Sequence, residues 1–100
     1  MTREEIETLL DAIYERTNLS SNLSAIREDT DFKRIVAAGT PALPTLLALL
    51  RERREWAIVL ALVRIAGPKA VVLTPDEQGR YEPIRARWLA WGKENGLIPG

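Results

Sequence analysis

The chain has 100 residues, 46% of them hydrophobic and 28% charged, with a formal net charge of zero and with neither cysteine nor histidine. This length accommodates one domain around a modest core, and the balanced charge indicates no global field for binding nucleic acid or membrane. The two missing residue types exclude disulfides, zinc sites of the Cys/His kind, and nucleophilic catalysis by Ser–His or Cys–His pairs.

The first predicted element is an acidic amphipathic helix over residues 1–18. Thr2 and Glu5 have the spacing of a capping box, in which each side chain accepts a hydrogen bond from the other residue's backbone N–H. The apolar residues that follow recur at helical spacing: Ile6, Leu9, Leu10 and Ile13. Asn18 and the serines after it end this helix, and we interpret the two N-x-S sequons of NLSSNLS (residues 18–24) as polar loop residues. The N-terminus does not read as a signal peptide, so a cytoplasmic location is the default expectation.

A short helix is predicted after this polar connection. Leu23 and Ile26 are expected to reach the core, and either Thr30 or Asp31 can cap the helix. Its apolar residues share one face: Phe32, Ile35 and Val36. Gly39 suits the left-handed position just past the end of such a helix.

Two prolines open the next helix, within AGTPALPTLL (residues 38–47). Proline inside a helix costs about 3 kcal/mol or more, but the first turn tolerates it because its N–H groups have no intrahelical acceptor. With Thr40 as the N-cap, Pro41 takes the first helical position and Pro44 the fourth; with Pro41 as the cap, Pro44 loses no backbone hydrogen bond. In both cases the prolines start a helix that runs to about Arg53, and they rigidify the corner before it.

The most apolar stretch, WAIVLALV (residues 56–63), continues to Ala66 and stops at Gly67. A helix that is apolar all round is a buried one, so this is predicted as the central core element, and it is too short to span a bilayer. Arg64 stands one turn before its end. We favour a side chain that reaches outward or caps the last carbonyls; the alternative is a buried ion pair with an acid of the first helix.

A loop over residues 68–82 precedes the last helix, predicted over residues 83–96 and opened by Pro83. Its apolar residues follow helical spacing: Ile84, Trp88 and Trp91. Residues 97–98 are expected to fold back against the core. The three tryptophans of the chain are predicted in the core first, although a part-exposed one would mark a hot spot for a protein partner.

The segment from about residue 35 to 67 resembles one HEAT-type repeat, in which a proline-started helix packs antiparallel to an apolar helix. A wider resemblance, to small uncharacterised bacterial HEAT-repeat-like proteins, rests on DFKRIVAAGTPALPTLLALL (residues 31–50), Trp56 and RARWLAWGKENGLI (residues 85–98). The chain departs from them in its longer loop after Gly67, and it shows no second repeat of the 30–45-residue period. Such proteins carry no assigned activity that the resemblance could imply.

The elements and the resemblance together predict one all-α domain over residues 1–100. It is a compact helical bundle of four main helices plus one short helix, built around a HEAT-like antiparallel pair within residues 29–67. The first and last helices are expected to cover the faces of this pair.

No stretch of the sequence carries the pattern of a catalytic, cofactor or metal site. DTDFKRIVAAGT (residues 29–40) begins like a calcium loop, but Arg34 stands where the turn glycine belongs and Thr40 where the bidentate Glu belongs. Paired carboxylates such as Glu4 and Glu7 are typical of helix N-termini, where the dipole favours acids. We therefore expect no enzymatic activity, no cofactor and no metal.

Charge is unevenly distributed, because residues 1–31 hold eight acids against three arginines and residues 32–100 hold eleven bases against six acids. We favour internal pairing of the two segments over orientation on a partner. Basic residues also recur at the corner after residue 50 and on the last helix, where acids interleave with them. Solvated faces are favoured there over a nucleic-acid patch.

The function predicted is a non-catalytic protein–protein interaction module, a small adaptor or inhibitor. The alternative is a nucleic-acid-associated accessory factor that binds through an arginine-rich face, and homo-oligomerisation stays open. We expect no membrane partner. The candidate partner-binding residues are Arg51, Arg53, Arg54, Arg85, Arg87 and Trp88.

Overall fold

The computed structural model describes residues 1–17 and 23–99, which form α-helices joined by turns and irregular segments. Six α-helices follow one another within these residues: α1 (Arg3–Thr17), α2 (Leu23–Glu28), α3 (Thr30–Ala37), α4 (Leu43–Glu52), α5 (Trp56–Ala66) and α6 (Tyr81–Glu94). The predicted all-α fold class is confirmed. The described residues contain one more short helix, α2, than the prediction of four main helices and one short one.

Helix α1 begins with the predicted capping box. The Glu5 backbone N–H donates to Thr2 Oγ1 and the Thr2 N–H donates to Glu5 Oε1, each over 3.2 Å. The four apolar residues of its predicted stripe are all buried. The predicted helix end at Asn18 lies outside the described residues. So do the first residues of the two sequons, which begin at positions 18 and 22.

The cap of α3 is Asp29, not Thr30 or Asp31 as predicted. Its Oδ1 atom accepts from the backbone N–H groups of Asp31, over 2.9 Å, and of Phe32. Asp29 has extended backbone angles while Thr30 is already helical, so only Asp29 is placed to turn its carboxylate onto the first turn. Asp and Thr both cap helices well, which is why the sequence pattern did not separate these three positions.

The corner between α3 and α4 contains the two prolines in separate first turns. Gly39 has the positive φ expected of the predicted left-handed position, +73°, but its ψ of −159° is extended and not that of a left-handed helical residue. A 3₁₀ turn over Thr40–Ala42 holds Pro41. Helix α4 then begins at Leu43, with Pro44 as its second residue. The prolines therefore start helical segments as predicted, but through a 3₁₀ turn where a single continuous helix was expected. Residues 40–52 turn away from α3 by 98°.

Helix α5 has the predicted bounds and the predicted central position. It packs against each of the other five described helices, and every residue from 57 to 62 is buried. Its most extensive neighbour is α4, to which it is joined by the three residues 53–55. Arg64 is exposed, as favoured from the sequence. No single helix of the described residues is long and apolar enough to cross a membrane; α3 and residues 40–52 reach that composition only jointly, across their bend.

Helix α6 begins and ends two residues earlier than predicted, and Pro83 is its third residue. The C-terminal segment folds back as expected, with Ile98 buried against Gly92. A Cβ at Gly92 would lie 2.8 Å from the Leu47 Cδ1 atom and 3.2 Å from the Ile98 Cγ1 atom. The absence of a side chain at this position is therefore what allows α4, α6 and the C-terminus to meet.

Candidate partner-binding site

Two arginines of the predicted set, Arg51 and Arg85, bind backbone carbonyls, at the C-terminus and at the end of α4 respectively. Arg85, from α6, donates from Nε to the Leu50 carbonyl over 3.0 Å and from Nη2 to the Arg51 carbonyl over 3.1 Å. Arg51 donates to the Pro99 carbonyl over 3.1 Å. Arg85 thus caps two carbonyls of the last turn of α4. A cation at this position also interacts favourably with the negative end of the helix dipole.

The next two arginines of the predicted set form ion pairs. Arg53 lies 2.6 Å from the Asp11 carboxylate of α1 and 2.8 Å from Glu55, and Arg54 lies 2.6 Å from Glu82. The Arg53–Asp11 pair joins the acidic N-terminal segment to the basic remainder of the chain, as favoured from the charge distribution. The Arg54 guanidinium also lies over the Tyr81 ring, 5.6 Å from its centroid.

Arg87 holds the irregular segment 67–80 against α6. Its Nε and Nη2 atoms donate to the two carboxylate oxygens of Glu77 over 3.0 and 2.9 Å. Glu77 in turn accepts from the Thr74 backbone N–H over 2.9 Å. These hydrogen bonds, that of Arg87 first, lower the pKa of Glu77 to about 2.

Trp88, the sixth residue of the predicted set, is 2% exposed. Its ring packs edge-on against Trp91, with the ring centroids 5.3 Å apart. The structure therefore places the six predicted residues in intramolecular contacts and does not assemble them into an open cationic face. Trp56, which was not in the set, is half-buried and packs edge-on against Tyr81.

An open depression of about 320 Å³, here called the apolar groove, lies between α2, α5, α6 and the segment 67–80. Among the described residues, Arg27 is the one charged residue in its lining. The remaining lining residues are apolar: Leu23, Trp56, Val59, Leu60, Val63, Pro68, Val71, Leu73, Gly79, Ile84 and Trp88. The long loop that departs from the HEAT-like pattern thus supplies one wall of the groove.

A second depression of about 280 Å³, here called the cationic cup, lies beside it. It is lined by one basic residue from each of three helices, Arg27 of α2, Lys33 of α3 and Arg64 of α5. The other lining residues are apolar: Phe32, Val36 and Ala37. Arg27 lines both depressions, so the groove and the cup are neighbours that meet at this side chain.

The three basic residues of the cup are exposed, and none of them has an ion pair or a side-chain hydrogen bond to another described residue. Of these three residues, only Arg64 was discussed from the sequence, as a side chain that reaches outward or caps the last carbonyls of its helix. Lys33 is spaced by three and four residues from Val36 and Ala37, which places it on their face of α3. That spacing is a weak signal, since the convergence of the three cations depends on how α2, α3 and α5 pack.

The chain matches no protein-family model, and no curated protein or solved structure matches it significantly. The resemblance to HEAT-repeat-like proteins stays a prediction that depends on residues 31–50, Trp56 and residues 85–98. The described residues contain no cluster of three acidic side chains arranged to hold a metal ion. The candidate site is therefore defined by its own geometry, an apolar groove next to a cationic cup, with Arg27 in the lining of both.

Proposed function

We propose that this protein is a non-catalytic protein-interaction module that holds a segment of a protein partner in the apolar groove. The observation that carries the proposal is the groove itself, whose lining is apolar except for Arg27. Protein interfaces have this anatomy, with an apolar, desolvated centre and a polar rim, and Trp and Arg are enriched among their hot spots.

The shape of the groove favours a peptide segment as its occupant. Its volume of about 320 Å³ has room for a few side chains, and it is open along the surface between α5 and residues 68–79. Segments bound in apolar grooves insert side chains at regular intervals and leave the rest of the partner outside. Half-buried Trp56 presents part of its ring to this opening.

The alternative function, a nucleic-acid-associated accessory factor, has less support from the geometry. Phosphate contacts need guanidinium or ammonium groups that are free to converge on a backbone. Arg53, Arg54 and Arg87 instead bind carboxylates, and Arg85 and Arg51 bind carbonyls. A nucleic acid at that face would have to replace these contacts one by one.

The test compares two substitutions that each introduce a carboxylate, at adjacent positions of the chain. Leu73 lines the groove, whereas Val72 is 78% exposed and does not. Both positions lie in the irregular segment 67–80, so Leu73→Glu and Val72→Glu change the charge equally outside any helix, but only Leu73→Glu places a carboxylate in the groove. Both variants must retain the wild-type circular dichroism spectrum.

Tagged wild-type and variant chains are used to recover binding partners from the source cells at physiological salt. We expect a stoichiometric protein that is retained by wild type and by Val72→Glu and lost with Leu73→Glu. A protein recovered equally by all three chains would contradict binding in the groove. Nucleic acid recovered in place of protein, and lost with Arg51, Arg53 or Arg54→Ala, would support the alternative function.

A further inference from the structure

We infer that the apolar groove and the cationic cup form one continuous site, and that the segment it binds is an apolar peptide carrying an Asp or Glu side chain, which lies in the cup. This inference rests on the proposed function, because it specifies the chemistry of the segment that the groove holds. Arg27 provides the geometric link, since it lines both depressions.

The cations of the cup stand out among the basic residues of the chain. Eight of its fourteen lysines and arginines have a carboxylate or carbonyl partner among the described residues: Arg3, Arg16, Arg34, Arg51, Arg53, Arg54, Arg85 and Arg87. Six have none there: Arg27, Lys33, Arg64, Lys69, Arg80 and Lys93. Three of those six line the cup, and no acidic residue of the described ranges 1–17 and 23–99 lines it with them.

Three like charges around one depression repel one another, and a bound anion relieves that repulsion. Arg27 and Arg64 offer guanidinium groups, which match a carboxylate in bidentate geometry, and Lys33 offers a third donor. Phe32 and Val36 line the cup beside them, so a carboxylate bound there would lie next to apolar side chains as well as to the cations.

The neighbouring groove decides which anion the site suits. A nucleic-acid backbone presents charge at every nucleotide and would leave the apolar lining of the groove without matching contacts. A peptide segment with apolar side chains and one carboxylate satisfies both halves of the site together. The acid fixes the register of the segment, because among the described residues the cup borders the groove at Arg27 alone.

The experiment selects 12-residue peptides from a random displayed library against the full chain at physiological salt. The most enriched peptide is then synthesised with a fluorescent label, together with a version in which its Asp or Glu is replaced by Asn or Gln. Dissociation constants of these peptides, and of a labelled single-stranded oligonucleotide, are measured by fluorescence anisotropy for wild type, for Leu73→Glu, for Arg27→Glu/Arg64→Glu, and for Lys69→Glu/Lys93→Glu. The last variant has the same change in net charge, at two exposed cations outside the cup.

We expect enriched peptides that combine apolar residues with an Asp or Glu. Charge reversal in the cup should weaken binding by about tenfold or more, because attraction is replaced by repulsion at close range, and the control reversal should weaken it by no more than about twofold. Replacing the peptide acid should weaken binding to wild type and strengthen binding to the cup variant, because it removes the repulsion that the charge reversal introduces.

Two results would overturn the inference in different ways. Peptides that need Leu73 but bind the cup variant as tightly as wild type would leave the proposed function in place and remove the acidic requirement. A selection that yields no peptide sensitive to Leu73→Glu would contradict the proposed function, and the inference would fail with it. A labelled single-stranded oligonucleotide that binds the cup more tightly than the peptide would also overturn it.

Discussion

Arg85 joins α6 to the end of α4 through two hydrogen bonds, and its removal tests how much that capping contributes to stability. The substitution Arg85→Met keeps most of the apolar stem and deletes the guanidinium. In the wild type the Leu50 and Arg51 carbonyls accept hydrogen bonds from Arg85 over 3.0 and 3.1 Å. In the variant, water is the donor that is left for these two carbonyls. Because the C-terminal carbonyls of a helix have no intrahelical donor, no backbone group replaces the lost bonds.

The expected cost follows from these contacts. A hydrogen bond involving a charged group contributes about 1.5–3 kcal/mol, and a cation at a helix C-terminus adds about 0.3–1 kcal/mol. Arg85 is only half-buried, so water partly compensates for its loss and each bond is taken at about 1 kcal/mol or less. Arg85→Met should therefore lower the free energy of unfolding by about 2 kcal/mol, or the Tm by roughly 10 °C for a domain of this size.

The assay is urea unfolding followed by circular dichroism at 222 nm, with linear extrapolation and a check that the slope m is unchanged. The matched control is Arg51→Met, which removes one hydrogen bond from an exposed arginine to Pro99 and should cost about 0.5 kcal/mol or less. Arg85→Lys should fall between them, because an ammonium cannot reproduce the fork that spans two carbonyls. Equal costs for Arg85→Met and Arg51→Met would refute the capping argument.

Three further predictions concern the core and the segment 67–80. Gly92→Ala should lower the free energy of unfolding by about 1 kcal/mol. Overpacking against Leu47 costs about 1–3 kcal/mol, whereas the better helix propensity of Ala contributes about 1 kcal/mol. A variant that is more stable than wild type in urea unfolding would show that the contact relaxes freely. Leu46→Ala, at a fully buried position, should cost about 2–5 kcal/mol, and a smaller loss would place Leu46 outside the core. The Glu77 carboxyl should titrate near pH 2 by NMR and return toward its ordinary value of 4.5 in Arg87→Met. Because that pKa is lowered by folding, its stabilisation is complete above about pH 4.5 and is lost as the pH falls toward 2, so Glu77→Gln should flatten this part of the stability–pH curve.

The helices that sequence predicted best are those whose ends carry a strong local signal. Helix α5 has its predicted bounds because an uninterrupted apolar run lies between Glu55 and Gly67, and α1 begins where Thr2 and Glu5 form their reciprocal cap. The cap of α3 was placed one or two residues late, at Thr30 or Asp31, because consecutive capping residues at 29–31 give equivalent patterns. Such a choice is decided by backbone angles that no residue type alone specifies.

The candidate site was much less accessible to sequence reasoning. The charge of Arg85 is visible in the sequence, but the carbonyls it binds belong to a helix more than thirty residues earlier. Trp88 was predicted both as a core residue and as a candidate for partner binding. It is buried, because it lies on the face of α6 that packs against the core. The cup brings together residues 27, 33 and 64, whose proximity depends on tertiary packing and leaves no spacing to detect.

The central position of α5 has a consequence for how this protein opens. Since every other described helix rests on α5, none of them can detach without uncovering part of its apolar surface. Amide hydrogens in the middle of α5 are therefore expected to exchange with deuterium only through complete unfolding, with a protection equal to the global stability. Those of α2, which has no buried residue, are expected to exchange by local fraying. The helix that supplies Arg27 can then adjust to an occupant while the opposite wall, on α5, stays rigid.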